Sequence, residues 1–321
     1  MKRLYACLAA VLAAAVIAPS AALAQPKTLS IATGTTGAVY FPLGGGLAQL
    51  LQKHLGINAN DEATAGTVEN LFRLGRNQAD IMFGQTDAAW DAYNGLDKFT
   101  GNKVPVRAIM VLYPNTMHLV SVEGAGVRTI QDLKGKRVST GPANSATEVM
   151  AMRGLRAAGL DPDKDIRRER LSPAESTRAI RDKQLDAYFF VGGIPTPAIT
   201  DLAATPGIRM QLIDYAEVLP NMVKASGPIY VPITIPAKAY PGQEREARAV
   251  AVWNILAVRE DMPAEMVYNI TRAVYQNRAE LGAVHPAGRE IDLKWQQNAA
   301  AVIPFHPGAI KFWGEQGVRL K

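Results

Sequence analysis

The stretch Ile31-Ala32-Thr33-Gly34-Thr35-Thr36-Gly37-Ala38-Val39-Tyr40-Phe41-Pro42-Leu43-Gly44 decides how the rest of the chain is read. Its apolar start, with Leu29 and Ser30 before it, reads as a strand. Small and hydroxylated residues then turn the chain, and Pro42 suits the first turn of a helix running through Leu47, Leu50 and Leu51 to about His54. Strand, polar turn and helix in that order form the unit of an α/β chain with a mainly parallel sheet. The same form returns at residues 65–70, 84–87 and 141–147, and at 190–197 as a fifth instance. In an open parallel sheet the carboxyl ends of the strands share one edge, so such turns converge. Each helix beginning there offers unpaired N–H groups and a partial positive charge.

Outward from these turns, strands are predicted near residues 57–62, 80–83, 106–113, 117–122, 137–140 and 186–191. Helices are predicted at 67–77, from 145 to about 158, and from 173 to about 183. Ser145 with Glu148, and Ser172 with Glu175, have capping-box spacing. After Gly227 proline recurs at Pro228, Pro232, Pro236 and Pro241, which suits extended crossing strands. Helices near 260–277 and 285–298 precede a tail around Phe312 and Trp313. The expected organisation is a discontinuous first lobe (25–115 and 227–321) enclosing a second (116–226), each a mainly parallel sheet flanked by helices, with strands crossing between them.

The first residues read differently. Met1, Lys2 and Arg3 are followed by an apolar run to Ala18, then Pro19-Ser20 and Ala22-Leu23-Ala24. This is the layout of a secretory signal peptide over residues 1–24, cleaved after Ala24, and it predicts a periplasmic protein. The run is too short for a bilayer span, and Cys7 lies too early for a lipid attachment site. Cleavage removes the single cysteine and leaves 33 basic against 29 acidic residues. Thiol chemistry and disulfides are thereby excluded. The positive charge is scattered; its one cluster, Arg167-Arg168-Glu169-Arg170, lacks interleaved aromatics, so nucleic-acid binding is not expected.

The converging turns hold no Lys or Arg. They hold Thr33, Thr35, Thr36, Tyr40, Thr67, Asn70, Gln85, Ser145 and Thr147 as neutral donors, and Glu69, Asp87 and Glu148 as acids suited to capping or to an ammonium group. Such a site holds a small carboxylate through main-chain and hydroxyl donors rather than an arginine clamp, and it disfavours a polyphosphate. Catalysis is not expected. The four histidines, His54, His118, His285 and His306, are dispersed, and no metalloprotease, paired-cysteine or nucleophile-elbow pattern occurs. No cofactor and no metal site are called for.

The chain resembles the TAXI-type solute-binding proteins of tripartite ATP-independent periplasmic (TRAP) transporters. The matching pieces are residues 31–44, Thr67-Val68-Glu69-Asn70-Leu71, Gly84-Gln85-Thr86-Asp87, Leu112-Tyr113-Pro114 and Gly135-Lys136-Arg137-Val138-Ser139. Gly141-Pro142 with Ser145 and Thr147, Asp186-Ala187 with Phe190, Tyr240-Pro241-Gly242-Gln243 and His306-Pro307-Gly308-Ala309 complete the set. The resemblance implies a two-lobed, type II-like periplasmic binding-protein fold closing like a clamshell on glutamate or 2-oxoglutarate, and delivery to a TRAP membrane subunit. It implies a ligand site of Thr33, Gly34, Gly37, Val39, Tyr40, Thr67, Asn70 and Gln85 from one lobe and Ser145, Thr147 and Phe190 from the other. Ala38, Asn144 and Ala146 stand where that family often has glycine, so three added side chains are expected to narrow the cleft or, at Asn144, to add an amide. The alternative on the same residues is a binding protein serving a sensor kinase or an ABC importer.

Overall fold

A computed structural model describes residues 28–321; the signal-peptide reading of residues 1–24 lies outside them. Among these described residues ten strands form one mixed sheet, eight of them in the order β2-β1-β3-β10-β4-β7-β5-β6. At one end β1 (Leu29–Ala32) runs parallel to β2 (Ala59–Glu62) and β3 (Ile81–Gln85). At the other, β5 (Arg137–Ser139) runs parallel to β6 (Arg167–Glu169) and β7 (Ala187–Gly192). Two long strands, β4 (Val106–Val122) and β10 (Ala247–Arg259), pair antiparallel and join the ends. β8 (Met210–Leu212) pairs with β4, and β9 (Val231–Ile235) with β10.

At about 3.4 Å per residue, the 17 residues of β4 reach roughly 58 Å, far enough to serve two cores. One core gathers Ile31, Leu47, Leu71, Ile81, Val111, Leu256, Phe312 and Trp313. The other gathers Met117, Leu133, Val138, Leu155, Phe189, Ile199, Tyr215 and Val250. Both long strands change cores midway, β4 between Tyr113 and Met117 and β10 between Val252 and Ile255. The sequence predicts two strands interrupted at Pro114. The structure has one, because Pro114 sits opposite Trp253 beside a register irregularity, where a missing N–H breaks no regular ladder.

Eleven helices among the described residues cover the sheet: α1 (Tyr40–Leu55), α2 (Thr67–Gly75), α3 (Thr86–Asn94), α4 (Ala146–Ala157), α5 (Pro173–Arg181), α6 (Pro197–Ala203), α7 (Leu219–Ser226), α8 (Ala264–Gln276), α9 (Arg278–Val284), α10 (Asn298–Ala301) and α11 (Pro307–Glu315). None is long and apolar enough to cross a membrane. The helix predicted at 285–298 is absent; short 3-10 turns at Pro286–Glu290 and Leu293–Trp295 replace it. The cause is Gln296, whose Oε1 accepts from Val111 N at 2.8 Å while its Nε2 donates to Val111 O at 2.8 Å. This side-chain amide pairs with the strand as a neighbouring backbone would, and so holds the segment out of helix. The Ser172–Glu175 box forms in both directions at the start of α5. At α4 only half of it forms: Ser145 Oγ accepts from Glu148 N, whereas the Glu148 carboxylate pairs with Lys98 and Arg170.

Gly308 fixes the seat of α11 on α8, since a Cβ there would lie 2.1 Å from Ala264 O and 2.9 Å from Tyr268 N. Backbone on both sides leaves no room to yield. Gly308→Ala is expected to lower unfolding free energy by about 3 kcal/mol, read as a lower denaturant midpoint at unchanged slope.

Candidate functional site

Where the two cores meet, one cavity is walled by Gly34, Thr35, Ala38, Val39 and Tyr40, by Ala65, Gly66, Thr67 and Gln85, and by Asn115 on β4. Pro142, Ser145, Ala146, Thr147, Phe190, Val191 and Gly192 close it from the second core's side. Tyr40, Thr67 and Ala146 are the first residues of α1, α2 and α4, and Gln85 directly precedes α3. Four helix beginnings thus face one space, and no Lys or Arg of the described residues lines it. Helix beginnings of this kind favour an anionic group.

The predicted site residues divide in two. Gly34, Val39, Tyr40, Thr67, Gln85, Ser145, Thr147 and Phe190 line the cavity; Thr33, Gly37 and Asn70 do not. Asn70 lies behind the wall with no exposed surface. Its Nδ2 donates to the carbonyls of Thr33 (2.6 Å), Phe83 (2.9 Å) and Ala32 (3.3 Å), and its Oδ1 accepts from Thr64 Oγ1. It pins the ends of β1 and β3, which sets the positions of both turns. Thr33 Oγ1 donates to Glu62 O at 2.6 Å. Gly37 meets the second core: its carbonyl accepts from Ala198 N at 3.4 Å, and a Cβ would come 3.2 Å from Ala174 Cβ.

Of the three positions where side chains replace the expected glycines, Ala38 and Ala146 line the cavity and narrow it. Asn144 does not, so its amide supplies no wall there. It adopts φ 62°, a left-handed conformation that asparagine tolerates, and its carbonyl accepts from Glu69 N at 3.0 Å. Gly141 at φ 90° leaves room for Thr147, whose Cγ2 would stand 2.5 Å from a Cβ. Sequence reasoning missed Asn115. Its signal is a lone amide inside an apolar strand, next to the proline at the crossing point.

The acidic residues of the turns are turned to cations of the protein. Glu69 pairs with Arg73 and Glu148 with Lys98 and Arg170. Asp87 accepts from Tyr230 Oη at 3.0 Å and lies 4.0 Å from Arg153, which also bonds Asp91 (2.7 Å) and Tyr230 (2.9 Å). Burial raises the Asp87 carboxyl, and that of Asp91 to about 6, with Arg153 opposing the rise in both. Because Asp87 and Asp91 stand on α3 and Arg153 on α4, the cluster ties one core to the other. Glu148 and Lys98 make a second tie.

His118 is buried, with Nδ1 3.3 Å from Phe190 O and Nε2 2.8 Å from Tyr240 Oη. Desolvation lowers it to about 4, so the imidazole is neutral and braces the backbone behind the Phe190 ring. The sign follows: the unfolded chain takes up a proton below about 6.5 that the fold refuses. Stability is therefore lost as pH falls from about 6.5 towards 4, by on the order of 3 kcal/mol. His118→Gln is expected to show a shallower fall in unfolding free energy over that interval.

A family model described as the NMT1-like family matches residues 31–317. The chain belongs to the NMT1-like family. This NMT1-like chain shares its fold with a binding protein component of an ABC phosphonate transporter from Pseudomonas aeruginosa (TM-score 0.56, 12% identity, 83% of this chain and 80% of that one). A protein from Bordetella bronchiseptica superposes with TM-score 0.53 at 16% identity, over 90% of this chain and 82% of that one. The fold is that of two-lobed periplasmic binding proteins. The family match corrects the TAXI-type TRAP assignment: the matching family is the NMT1-like one.

Proposed function

We propose that this NMT1-like protein is a periplasmic receptor that captures a small organic acid between its two lobes and delivers it to an ABC-type importer, without catalysing its conversion. One observation carries the reading: four helix beginnings meet in one interlobe cavity that no cationic side chain of the described residues lines. The lobes divide where β4 and β10 change cores, and the Arg153 and Glu148 ties fasten the closed arrangement. The importer rests on the shared architecture with the phosphonate-transporter component.

An acid group is held by first-turn N–H groups and by Thr147, whose Oγ1 already accepts from Val191 N at 3.2 Å and so has its proton to donate. Ser145 contributes through the N–H groups that follow it, because its own hydroxyl donates to Pro142 O at 2.7 Å. Closure around the acid buries it, and the closed form is what a membrane partner distinguishes.

A thermal-shift screen of small carboxylates, sulfonates and phosphonates tests the reading. A bound acid at 100 times its Kd adds about 2.7 kcal/mol to stability. Thr147→Val keeps the shape and is expected to weaken binding about tenfold by calorimetry, the loss of one charge-assisted hydrogen bond. Stabilisation by no acid in the screen contradicts the proposal.

A further inference from the structure

We infer that Asn115 is a specificity-determining residue that presents a fixed hydrogen-bond acceptor to the solute, so that the acid this cavity takes also carries an N–H donor, as in an amino acid. The inference rests on the proposed binding of a small acid in the same cavity. It comes from following hydrogen-bond polarity through three buried side chains.

Tyr113 O can only accept, and Asn254 Nδ2 donates to it at 3.3 Å. That fixes the Asn254 amide, which turns its Oδ1 towards Tyr40. The Tyr40 hydroxyl therefore donates to Asn254 Oδ1. Having used its only proton, the phenol oxygen can only accept from its other neighbours. Asn115 approaches it at 3.3 Å and must do so with Nδ2. The opposite end of that amide, Oδ1, is left as an acceptor with no partner among the described residues, on a residue with no exposed surface that lines the cavity.

A free choice between amide oxygen and nitrogen is thus removed by a carbonyl two side chains away. Burial strengthens the constraint by keeping Tyr40 protonated: desolvation raises its pKa far above the usual phenol range. Gln85 adds a second acceptor, since its Oε1 is also buried without a partner in the same cavity. An unpartnered buried carbonyl oxygen is costly, and a ligand N–H relieves the cost whereas a 2-oxo group faces it with a second acceptor. No carboxylate does this work, because Glu69, Asp87 and Glu148 are engaged elsewhere and line no part of the cavity. The two ends of the site are therefore distinct: helix beginnings for the acid, amide oxygens for the donor.

Calorimetric titration with matched pairs tests this: L-alanine against pyruvate, L-leucine against 4-methyl-2-oxopentanoate, L-phenylalanine against phenylpyruvate and L-glutamate against 2-oxoglutarate. In the pair that fits, the amino member is expected to bind at least tenfold tighter. Asn115→Leu should abolish that preference by weakening the amino member, leaving the 2-oxo member within about threefold. Asn115→Asp, which keeps the acceptor, should retain the preference and guards against a variant that fails to fold. Tyr40 acts as a positioning residue, so Tyr40→Phe should shrink the amino-to-oxo ratio by freeing the amide to turn. Equal or tighter binding of the 2-oxo member overturns the inference while leaving the small-acid reading intact. Binding of neither member of any pair removes the small-acid reading and the inference with it.

Discussion

Arg153→Met is expected to lower the unfolding free energy by about 3–5 kcal/mol near pH 7, because it strips the shared cation from two carboxylates already short of water. Asp87 has no exposed side-chain surface and Asp91 very little, and both lean on the one guanidinium, as does Tyr230. Burial already raises both carboxyls, Asp91 to about 6 against an ordinary 3.8. A carboxyl raised in the fold binds protons that the unfolded chain releases, so its cost grows as pH rises through the interval from 3.8 to 6 and shrinks as pH falls. Without Arg153 the rise is larger, since the cation opposes it in both groups. The deficit of the variant should accordingly be smaller at pH 5 than at pH 7. Chemical denaturation at the two values checks this, and an equal deficit at both excludes uncompensated carboxylates as the cause. Arg153→Lys, which restores a point charge without the fork, should recover only part of the loss.

Asn70→Leu is the second large effect, expected to cost about 3–5 kcal/mol while leaving the cavity wall chemically unchanged. The amide satisfies carbonyls at the ends of two adjacent strands and accepts from Thr64. Leucine is near in volume and can do none of this. The measurement is equilibrium unfolding, with ligand titration of the surviving folded fraction. A stable variant with lost affinity would instead place Asn70 in contact with the solute.

Asn70 also shows what the sequence can and cannot reveal. The strand–turn–helix units were legible because they repeat with apolar runs and small residues at fixed places, and the structure puts residues of all five on one cavity. Position along the chain does not say which side of a turn faces solvent. Thr33, Gly37 and Asn70 sit within the right segments yet point into protein, while Thr35, Ala38, Gly66 and Ala146 from the same segments line the space. The long strands were harder for a related reason. Pro114 looks like a break in any local reading, and only its pairing with Trp253 across the sheet lets β4 pass through. Gln296, too, reads as a helix residue until Val111, 185 positions earlier, is placed beside it. Of the acidic residues of the turns, Glu69 keeps local partners, accepting from Ala65 N at 2.8 Å and pairing with Arg73, whereas Asp87 and Glu148 meet Arg153, Arg170 and Lys98 from elsewhere in the chain. Non-local partners decide the cases of Pro114, Gln296, Asp87 and Glu148.

Family membership was misread for a different reason. Glycine, threonine and proline at the cleft follow from the demands of close backbone approach and helix initiation. Those demands belong to the backbone of the cleft, so such turns carry little information on a membrane partner.

A crystal structure of the protein with the acid that stabilises it most tests the central claim directly. Carboxylate oxygens are expected within hydrogen-bond distance of the N–H groups opening α1, α2 or α4 and of Thr147 Oγ1, with no Lys or Arg side chain touching the acid. A solute seated elsewhere, or gripped chiefly by a guanidinium or ammonium group, would contradict it.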